Sequence, residues 1–387
     1  MENHTKKQRL LFLDAMRGLI LVLMAVDHAS FFIAKTHSHE FWGSTLPRYE
    51  SALPFLLRAV THLCAPGFFL LMGIGMTLFI GARLGEGWTH RRVARFFVTR
   101  GLLLIAVQQV LENPAWYLGV LGTAHGAFTF RGGPIPGGGG SIEISLGVLY
   151  GLGSGMVIWG LLFRLPSWAV GALSLSAIGL TQVVIAEFAD PRALYSPLIR
   201  MLLIPGHTGA WLVFYPTIPW MGITGLGMVL GRLIRSRTPW AARGLWLSGA
   251  GALLLFAFVR MAGGFGNLHV AAPGWIGFFN LTKYPPSLSF LLLTGGIDLL
   301  LLKACMRLEH RSPSWEKILS VYGRSPLFFY ITHLYVYALM GWAFPNGLEL
   351  VRMLPLWLTG LLLLYPLCLG FGRFKHSRPT HSLWRLF

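Results

Sequence analysis

The sequence predicts an all-α integral membrane protein, a polytopic bundle of about ten transmembrane helices (range 9–11) with both termini in the cytoplasm. Of its 387 residues, 54% are hydrophobic and only 12% are charged, whereas a soluble domain carries about 25% charged residues. Apolar runs near the roughly 20 residues that a helix needs to cross a bilayer recur along the whole chain. Lysines and arginines fall in short clusters between those runs, which is typical of the loops of membrane proteins.

Ten apolar segments account for the predicted spans. They cover residues 10–34, 52–82, 96–111, 142–163, 167–187, 212–231, 244–262, 286–302, 325–344 and 353–372. The first segment is longer than the roughly 7–15 apolar residues of a secretory signal and lacks a small-residue cleavage site. We therefore expect it to remain as the first span.

The basic residues indicate a bilayer and not nucleic acid as the partner. The formal charge is +18, but no basic stripe with interleaved aromatic residues is present. With a cytoplasmic N-terminus, 22 of the 32 Lys and Arg residues fall on the cytoplasmic side, nine fall on the other side, and Arg17 lies within a span. This bias supports an even number of spans, because cytoplasmic loops carry the excess of basic residues.

The segments between the spans show no second domain, so residues 1–387 are predicted to form one transmembrane domain. The longest outer loop contains RGGPIPGGGGS, residues 131–141, which has the chemistry of a flexible linker because no Lys-Ser/Thr pair follows the glycines. The basic, aromatic tail, residues 373–387, is expected to lie in the cytoplasmic headgroup region. Three cysteines without CxxC spacing are interpreted as packing residues: Cys64, Cys305 and Cys368.

Ionisable residues within the spans are the candidates for chemistry, because a charge in hydrocarbon is costly unless it faces a partner or a water-filled cavity. The first span carries Asp14, Arg17, Asp27 and His28. Arg17 and His28 are about three helical turns apart, so both project to broadly the same side of the helix. Asp27 is expected to orient a neighbouring group. As alternatives, Arg17 is an anchor to lipid phosphates and His28 forms an interhelical hydrogen bond.

Further ionisable residues follow the same pattern, although a structural role would also explain each of them: His62, Asp298 and His333. The first outer loop, AKTHSHEFWG, adds His37, His39 and Glu40. No third separated ligand is near and HExxH is absent, so the sequence predicts no metal site. An imidazole at the mouth of a cavity suits general base catalysis, because its unperturbed pKa of about 6.5 lies near working pH.

Five motifs follow one another along the chain: LDAMRGLILVLMAVDHASFF, THLCAPGFFLLMGIG, FYPTIPWMGITGLGMVLGR, NLTKYPPSLSFLLLTGG and GRSPLFFYITHLYVYALM. Together they resemble the bacterial branch of the heparan-alpha-glucosaminide N-acetyltransferase catalytic-domain family, from about residue 9 to residue 345. The Arg-x10-His spacing of Arg17 and His28 is also similar to the first-helix motif of acyltransferase-3 membrane proteins.

The resemblance implies an acyl-CoA-dependent O- or N-acyltransferase in a bacterial inner membrane. The expected reaction moves an acyl group from cytoplasmic acyl-CoA to an amine or hydroxyl of an extracytoplasmic carbohydrate. Acetyl is the expected acyl group. It also implies a multi-helix bundle that encloses a shared cavity. From the spacing of the His and Glu residues, no metal is expected. A homodimer is one of the oligomeric states left open.

The family pattern places Arg17 and His28 at the two fixed positions of the first-helix motif, with Asp27 beside the catalytic imidazole. In the eukaryotic branch the position of His28 is Asn, and the catalytic His corresponds here to His39. Either His28 or His39 is therefore the general base, and we favour His28. Direct transfer in a ternary complex and an acyl-His relay both remain open.

Contacts to both substrates are expected at the rims of the spans. The candidates for binding acyl-CoA are Arg83, Arg91, Arg92, Arg324 and His333. As an alternative, the arginines act only as anchors on the cytoplasmic side. The candidates for binding the acceptor are His62, Asn280, Lys283 and Tyr284. A transporter or flippase is the alternative function, although the two halves lack matching spans broken by Gly or Pro.

Overall fold

The computed structural model describes residues 10–124, 127, 144–236, 239–309, 313–379, 382 and 384. Its helices are α1 Leu11–Phe32, α2 Ala52–Thr61, α3 Cys64–Gly85, α4 His90–Val107, α5 Asn113–Leu121, α6 Val148–Leu162, α7 Ser167–Val183, α8 Pro197–Leu202, α9 Thr217–Arg235, α10 Pro239–Ala262, α11 Gly274–Phe279, α12 Leu288–Leu308, α13 Pro313–Gly323, α14 Pro326–Gly341 and α15 Leu350–Ser377. Two π-helical turns, Gln108–Glu112 and Val184–Phe188, continue α4 and α7.

Three short strands form one small sheet beside the helices. They are β1 Ile144–Leu146, β2 Gly206–Thr208 and β3 Trp211–Val213. β3 lies in the middle and pairs parallel with β1 and antiparallel with β2. β1 leads into α6 and β3 leads towards α9, so the sheet ties the start of those two helices together.

Helix α1 lies in the middle of the bundle and contacts α3, α12, α13, α14 and α15. Its apolar residues cover all sides, which is typical of a helix enclosed by other helices. Glycines allow the closest contacts: Gly18 faces the backbone of Leu319, and Gly323 faces the backbone of Asp14. A β-carbon at either glycine would clash with that backbone, so these two residues set how closely α13 approaches α1.

Small residues also bring other helix pairs together, as they commonly do between membrane helices. Gly73 of α3 faces the backbone of α9, and Gly227 of α9 faces the backbone of α3. Gly101 of α4 and Gly153 of α6 each face the other's backbone. These contacts fix α3 against α9 and α4 against α6.

The prediction of an all-α polytopic helical fold is confirmed, and each of the ten predicted spans contains a helix. In the described parts of the chain, seven helical segments are long and apolar enough to cross a membrane: Ala52–Gly85, His90–Leu121, Ser167–Phe188, Thr217–Arg235, Arg243–Ala262, Leu288–Leu308 and Leu350–Ser377. Helices α6 and α14 are apolar but shorter, and α1 is not among the seven. The number of ten spans and the position of the termini stay predictions.

Two predicted segments lie wholly or partly outside the described residues. The glycine-rich loop at residues 131–141 is one of them. Helix α15 continues to Ser377, so the first residues of the predicted basic tail at 373–387 are helical.

Candidate active site

A polar chamber lies between α1, the loop that follows it and α14, and we call it the histidine chamber. The space between its walls, including the part open to solvent, is about 700 Å³. Its walls include His28, His37, His39, Glu112, Lys283 and Tyr284. The structure thus brings the two predicted bases, His28 and His39, to one chamber together with two predicted acceptor-side residues.

His28 is held by a second imidazole from α14. Its Nδ1 lies 2.6 Å from Nε2 of His333, and Nδ1 of His333 lies 3.0 Å from the carbonyl oxygen of Phe329. A carbonyl oxygen only accepts, so with both rings neutral His333 carries its proton on Nδ1 and accepts from His28 at Nε2. His28 then carries its proton on Nδ1, and the lone pair of its Nε2 is left to accept a proton.

His333 was predicted to bind acyl-CoA, and in the structure it contacts His28. It is fully buried against His28 and is not a wall residue of the histidine chamber. The rings of Trp116 and His28 pack nearly at right angles, with 5.1 Å between ring centres. These contacts restrict the orientation of the His28 ring from two sides.

Asp27 is engaged by Arg58 of α2. Nη1 of Arg58 lies 2.6 Å from Oδ1 of Asp27, while its Nη2 and Nε lie 2.7 and 2.9 Å from the two carboxylate oxygens of Glu40. Nε2 of the predicted acceptor-side residue His62 lies 3.4 Å from Oε2 of Glu40. Because a buried guanidinium must be paired, this arrangement ties α1, α2 and the first outer loop into one unit.

The loop residues of the chamber have strongly shifted pKa values. Burial lowers the pKa of His39 to about 3, and the charge of Arg58 adds to this effect. Burial also holds the pKa of His37 well below its usual range. Burial alone would raise the pKa of Glu40, but Arg58 and His62 lower it well below its usual range. At neutral pH both loop imidazoles are therefore neutral and Glu40 is ionised.

Two loops pair across the mouth of the chamber. The backbone N–H groups of Lys283 and Tyr284 donate to the carbonyl oxygen of Glu40, each at 3.0 Å, and that of Trp42 donates to the carbonyl oxygen of Tyr284 at 2.8 Å. This pairing places the Lys283 and Tyr284 side chains in the chamber wall. Asn280 lies elsewhere, where its Nδ2 donates to the carbonyl oxygen of Pro47 at 2.8 Å.

Glu112 is a wall residue that the sequence analysis missed. It is buried and ends the π-helical turn after α4, and its Oε1 accepts from the hydroxyl of Tyr330 at 2.8 Å. π-Helical turns often occur at functional sites. The sequence offered one signal, a glutamate two residues before Pro114 at the end of an apolar run. It was missed because the predicted third span ends at residue 111.

A second cavity of about 1240 Å³ adjoins the histidine chamber, and we call it the arginine-rimmed cavity. Phe68, Val148 and Tyr330 line both spaces. Its other walls are mainly apolar residues of α3, α4 and α6. Its basic lining residues are Arg17, Arg100, Arg324 and Lys375.

Arg17 pairs with a carboxylate and lines a cavity. Its Nη1 lies 3.2 Å from Oδ1 of Asp14, and its side chain lines the arginine-rimmed cavity. Gly75 leaves room for its guanidinium. Nε of Arg324 lies 3.9 Å from Oδ2 of the same Asp14, so one carboxylate connects two of the basic lining residues.

The other predicted CoA-binding arginines do not line this cavity. Arg83 pairs with Glu86 at 2.5 Å and lies over the Trp88 ring, 5.2 Å from its centre. The Arg92 guanidinium also lies over the Trp88 ring, 4.0 Å from its centre, and Arg91 is exposed. Arg100 and Lys375, which do line the cavity, were not singled out from the sequence.

Comparison with known proteins identifies the family. Residues 9–263, about two thirds of the chain, match the family model described as heparan-alpha-glucosaminide N-acetyltransferase, catalytic. No curated protein matches the sequence. Among the described residues, no group of three or more His, Cys, Asp or Glu side chains is arranged to hold a metal ion.

Proposed function

Because the chain belongs to the heparan-alpha-glucosaminide N-acetyltransferase catalytic-domain family, a family of membrane acetyltransferases, we propose that it transfers an acetyl group from cytoplasmic acetyl-CoA to a carbohydrate across the membrane. The acceptor atom is an amine nitrogen or a hydroxyl oxygen on the extracytoplasmic side, and a bacterial inner membrane is the proposed location. The observation that carries the proposal is the His28–His333 pair beside the shared wall of the two cavities.

The arginine-rimmed cavity suits the donor. CoA carries phosphate groups at one end and the thioester at the other, and guanidinium groups bind phosphates through charge-assisted hydrogen bonds. Arg17, Arg100, Arg324 and Lys375 would bind those phosphates, while the apolar walls would take the pantetheine arm. The thioester would then reach the wall near Tyr330 that the two cavities share.

The histidine chamber suits the acceptor. Lys283 and Tyr284 would orient it, and the Tyr284 and Tyr215 hydroxyl oxygens lie 3.5 Å apart. Only one of these hydroxyls can donate to the other, so one O–H is left to donate to a bound group. That O–H and the Lys283 ammonium are the candidates for stabilising the oxyanion of the tetrahedral intermediate.

His28 would act as the general base, with His39 as the alternative. The acceptor nitrogen or oxygen attacks the thioester carbonyl carbon while Nε2 of His28 takes its proton. The C–S bond then breaks, its electron pair stays on sulfur, and the imidazolium returns the proton to give the free CoA thiol. His333 would orient the base by accepting from its Nδ1, and Arg58 would fix Asp27 and the adjoining loop.

The test is acetyl transfer by the purified protein in lipid nanodiscs. Radiolabelled acetyl-CoA is incubated with glucosamine and with amino-sugar or hydroxyl-bearing oligosaccharides, and labelled product and free CoA thiol are both measured. We expect label on the acceptor in proportion to the thiol released. If folded protein neither binds acetyl-CoA saturably nor releases thiol with any acceptor, the acetyltransferase proposal fails and the transporter alternative is favoured.

A further inference from the structure

Tyr330 of α14 lies where the histidine chamber and the arginine-rimmed cavity meet. Three residues line both spaces, and Tyr330 is the polar one, since the others are Phe68 and Val148. Its ring also packs near both imidazoles of the His28–His333 pair, with its centre 6.4 Å from that of His28 and 5.6 Å from that of His333. One side chain therefore lies beside the proposed base, beside the residue that orients it and in the wall that the two cavities share.

A buried carboxyl group holds the Tyr330 hydroxyl. The hydroxyl donates to Oε1 of Glu112 at 2.8 Å, and the two residues are 6% and 3% exposed. Gly147 leaves room for this carboxyl group, because a β-carbon there would lie 3.2 Å from Oε1. The next residue in the chain is Val148, which also lines both cavities. The hydrogen bond thus ties Tyr330 to the π-helical turn after α4, beside the start of α6.

Packing alone does not account for the pair of Tyr330 and Glu112. A phenylalanine at position 330 would fill the same wall without a partner, whereas a buried hydroxyl and a buried carboxyl group each cost free energy unless they are hydrogen-bonded. What the pair adds is a fixed orientation of the ring, because a satisfied buried hydrogen bond restricts the far end of the side chain.

The proposed reaction gives a task to a wall of fixed geometry. Acetyl-CoA would bring its thioester to this wall from one side, and the acceptor would enter the polar chamber on the other side, which water can also enter. Water can attack the thioester carbonyl carbon as the acceptor does: His28 takes its proton, the C–S bond breaks with its electron pair on sulfur, and acetate and the CoA thiol result. Unless water is kept from the thioester, acetyl groups are lost to hydrolysis.

We propose that Tyr330, positioned by Glu112, is the partition that keeps the water of the histidine chamber from the thioester, so that the acetyl group passes to the acceptor and not to water. Tyr330 would border the thioester itself, whereas Glu112 acts through Tyr330 and is a positioning residue. This inference rests on the proposed function and extends it to the side reaction that the site prevents.

The first experiment measures the coupling ratio, which is the acetylated acceptor formed per CoA thiol released, for full-length protein in nanodiscs. Wild type should give a ratio of about 1, and Tyr330→Ala, which removes the ring, should lower it about threefold and raise thiol release without acceptor by a similar factor. The KM for acetyl-CoA should change little, since the basic lining residues are intact. A folded Tyr330→Ala that is as coupled as wild type would overturn the proposal.

Further variants test the role of Glu112. Tyr330→Phe and Glu112→Leu remove the same hydrogen bond, so each should lower the coupling ratio about twofold and the double variant should lower it no further, because changes at one contact are not additive. Glu112→Gln, whose amide oxygen still accepts from Tyr330, should be coupled nearly as wild type. The matched control is Tyr335→Phe on the same helix, whose hydroxyl donates to a backbone carbonyl outside both cavities, and its ratio should not change. A folded, fully coupled Glu112→Leu would overturn the positioning role.

A second measurement does not depend on acetyl transfer. Cys64 lines the histidine chamber, so its thiol reports entry to that space when Cys305 and Cys368 are changed to Ala. A membrane-impermeant methanethiosulfonate is added to sealed vesicles on the face that carries Glu86, at the end of α3 nearer the arginine-rimmed cavity. Tyr330→Ala should raise the rate of Cys64 modification about tenfold, because thiol reactivity follows access. Equal rates in wild type and this variant would overturn the partition. If wild type releases no thiol with any acceptor, the acetyltransferase proposal fails, and the Cys64 rates alone decide whether the partition exists.

Discussion

The histidine chamber and the arginine-rimmed cavity adjoin, yet they place their charges in different ways. Beside the chamber, Arg58 and Glu40 are buried, and hydrogen bonds between 2.6 and 2.9 Å long join Arg58 to Glu40 and to the wall residue Asp27. In the cavity, apolar walls occupy most of the surface, and basic side chains such as Arg17 and Arg324 remain partly exposed. Fixed, paired charges suit the orientation of reacting groups, whereas exposed cations suit the binding of a charged donor.

We expect the histidine chamber and the arginine-rimmed cavity to open on opposite sides of the membrane. Thr45 lies in the loop beside the histidine chamber, and Glu86 follows α3 at the other end; both are exposed. With both termini cytoplasmic, we expect an impermeant maleimide on intact cells to label Thr45→Cys fully and Glu86→Cys only after permeabilisation. The native cysteines are buried, so they give little background. Labelling of Glu86→Cys in intact cells would reverse the orientation.

Loss of the base should give the largest effect on catalysis. General base catalysis contributes about 10²–10⁴-fold, so His28→Ala should lower kcat by that much. The KM for acetyl-CoA should stay nearly unchanged, because His28 lies in the chamber and not in the donor cavity. His39→Ala should cost only a few-fold, and His207→Ala, an exposed histidine, should cost nothing. A large loss in His39→Ala with activity retained in His28→Ala would assign the base to the loop.

Loss of the residue that orients the base should have a smaller effect. In His333→Ala the Nδ1–H of His28 loses its acceptor, so kcat should fall about 10–100-fold, by analogy with the loss of the hydrogen-bond partner of a metal-bound histidine. His333→Gln can present an amide oxygen and should recover part of that loss. If both variants fold but lose activity equally, His333 packs against His28 without orienting it.

The helices could be predicted from the sequence because apolar runs long enough to cross a membrane are easily recognised. The glycines at the helix contacts do not interrupt those runs. It also predicted His28, His39, Lys283 and Tyr284, which do meet in one chamber. It could not predict that His333 reaches His28, because the two are 305 positions apart and only packing of α14 against α1 brings them together.

Arg58, Arg100 and Lys375 illustrate a different reason. Arg58 was not singled out within the predicted span 52–82, yet α2 places its guanidinium in the protein interior. Arg100 and Lys375 belong to clusters whose members all fit a cytoplasmic surface. Only the helix faces seen in the structure separate the two residues that line the cavity from Arg83, Arg91 and Arg92, which do not.

Changes at the basic lining residues should affect donor binding moderately. Arg17→Lys and Arg324→Gln should each raise the KM for acetyl-CoA about two- to fivefold without changing kcat, because partly exposed charges contribute about 0.2–1 kcal/mol. Higher ionic strength should reduce the difference from wild type. The matched control is Arg352→Gln, an exposed arginine that pairs with Glu349 and lies outside the cavity. If Arg83→Gln raises the KM for acetyl-CoA while Arg17→Lys and Arg324→Gln do not, the CoA phosphates bind near Arg83 and outside the arginine-rimmed cavity.

The smallest expected difference between the two cavities is in the pH dependence of stability. Only the histidine chamber contains the loop imidazoles His37 and His39. The pKa of His39 is about 3 in the folded protein and 6.5 as a reference for the unfolded chain. Between these values the unfolded state binds more protons, so stability is full above about pH 6.5 and falls as the pH decreases towards 3. From pH 6.5 to pH 5 this one group should cost about 2 kcal/mol of unfolding free energy, at about 1.36 kcal/mol per pH unit.

The measurement is the thermal unfolding midpoint of the purified protein at several pH values, for wild type and His39→Asn. The asparagine variant does not titrate, so its midpoint should fall less between pH 7 and pH 5, even if it is lower at pH 7. Glu40, whose pKa is well below its usual range, also loses its stabilising charge only at lower pH and so adds little in this window. Arg17→Lys, in the other cavity, should give a pH profile parallel to wild type. Parallel profiles for wild type and His39→Asn would mean that His39 binds no proton on unfolding in this range, and that the chamber is open enough for His39 to titrate normally in the folded state.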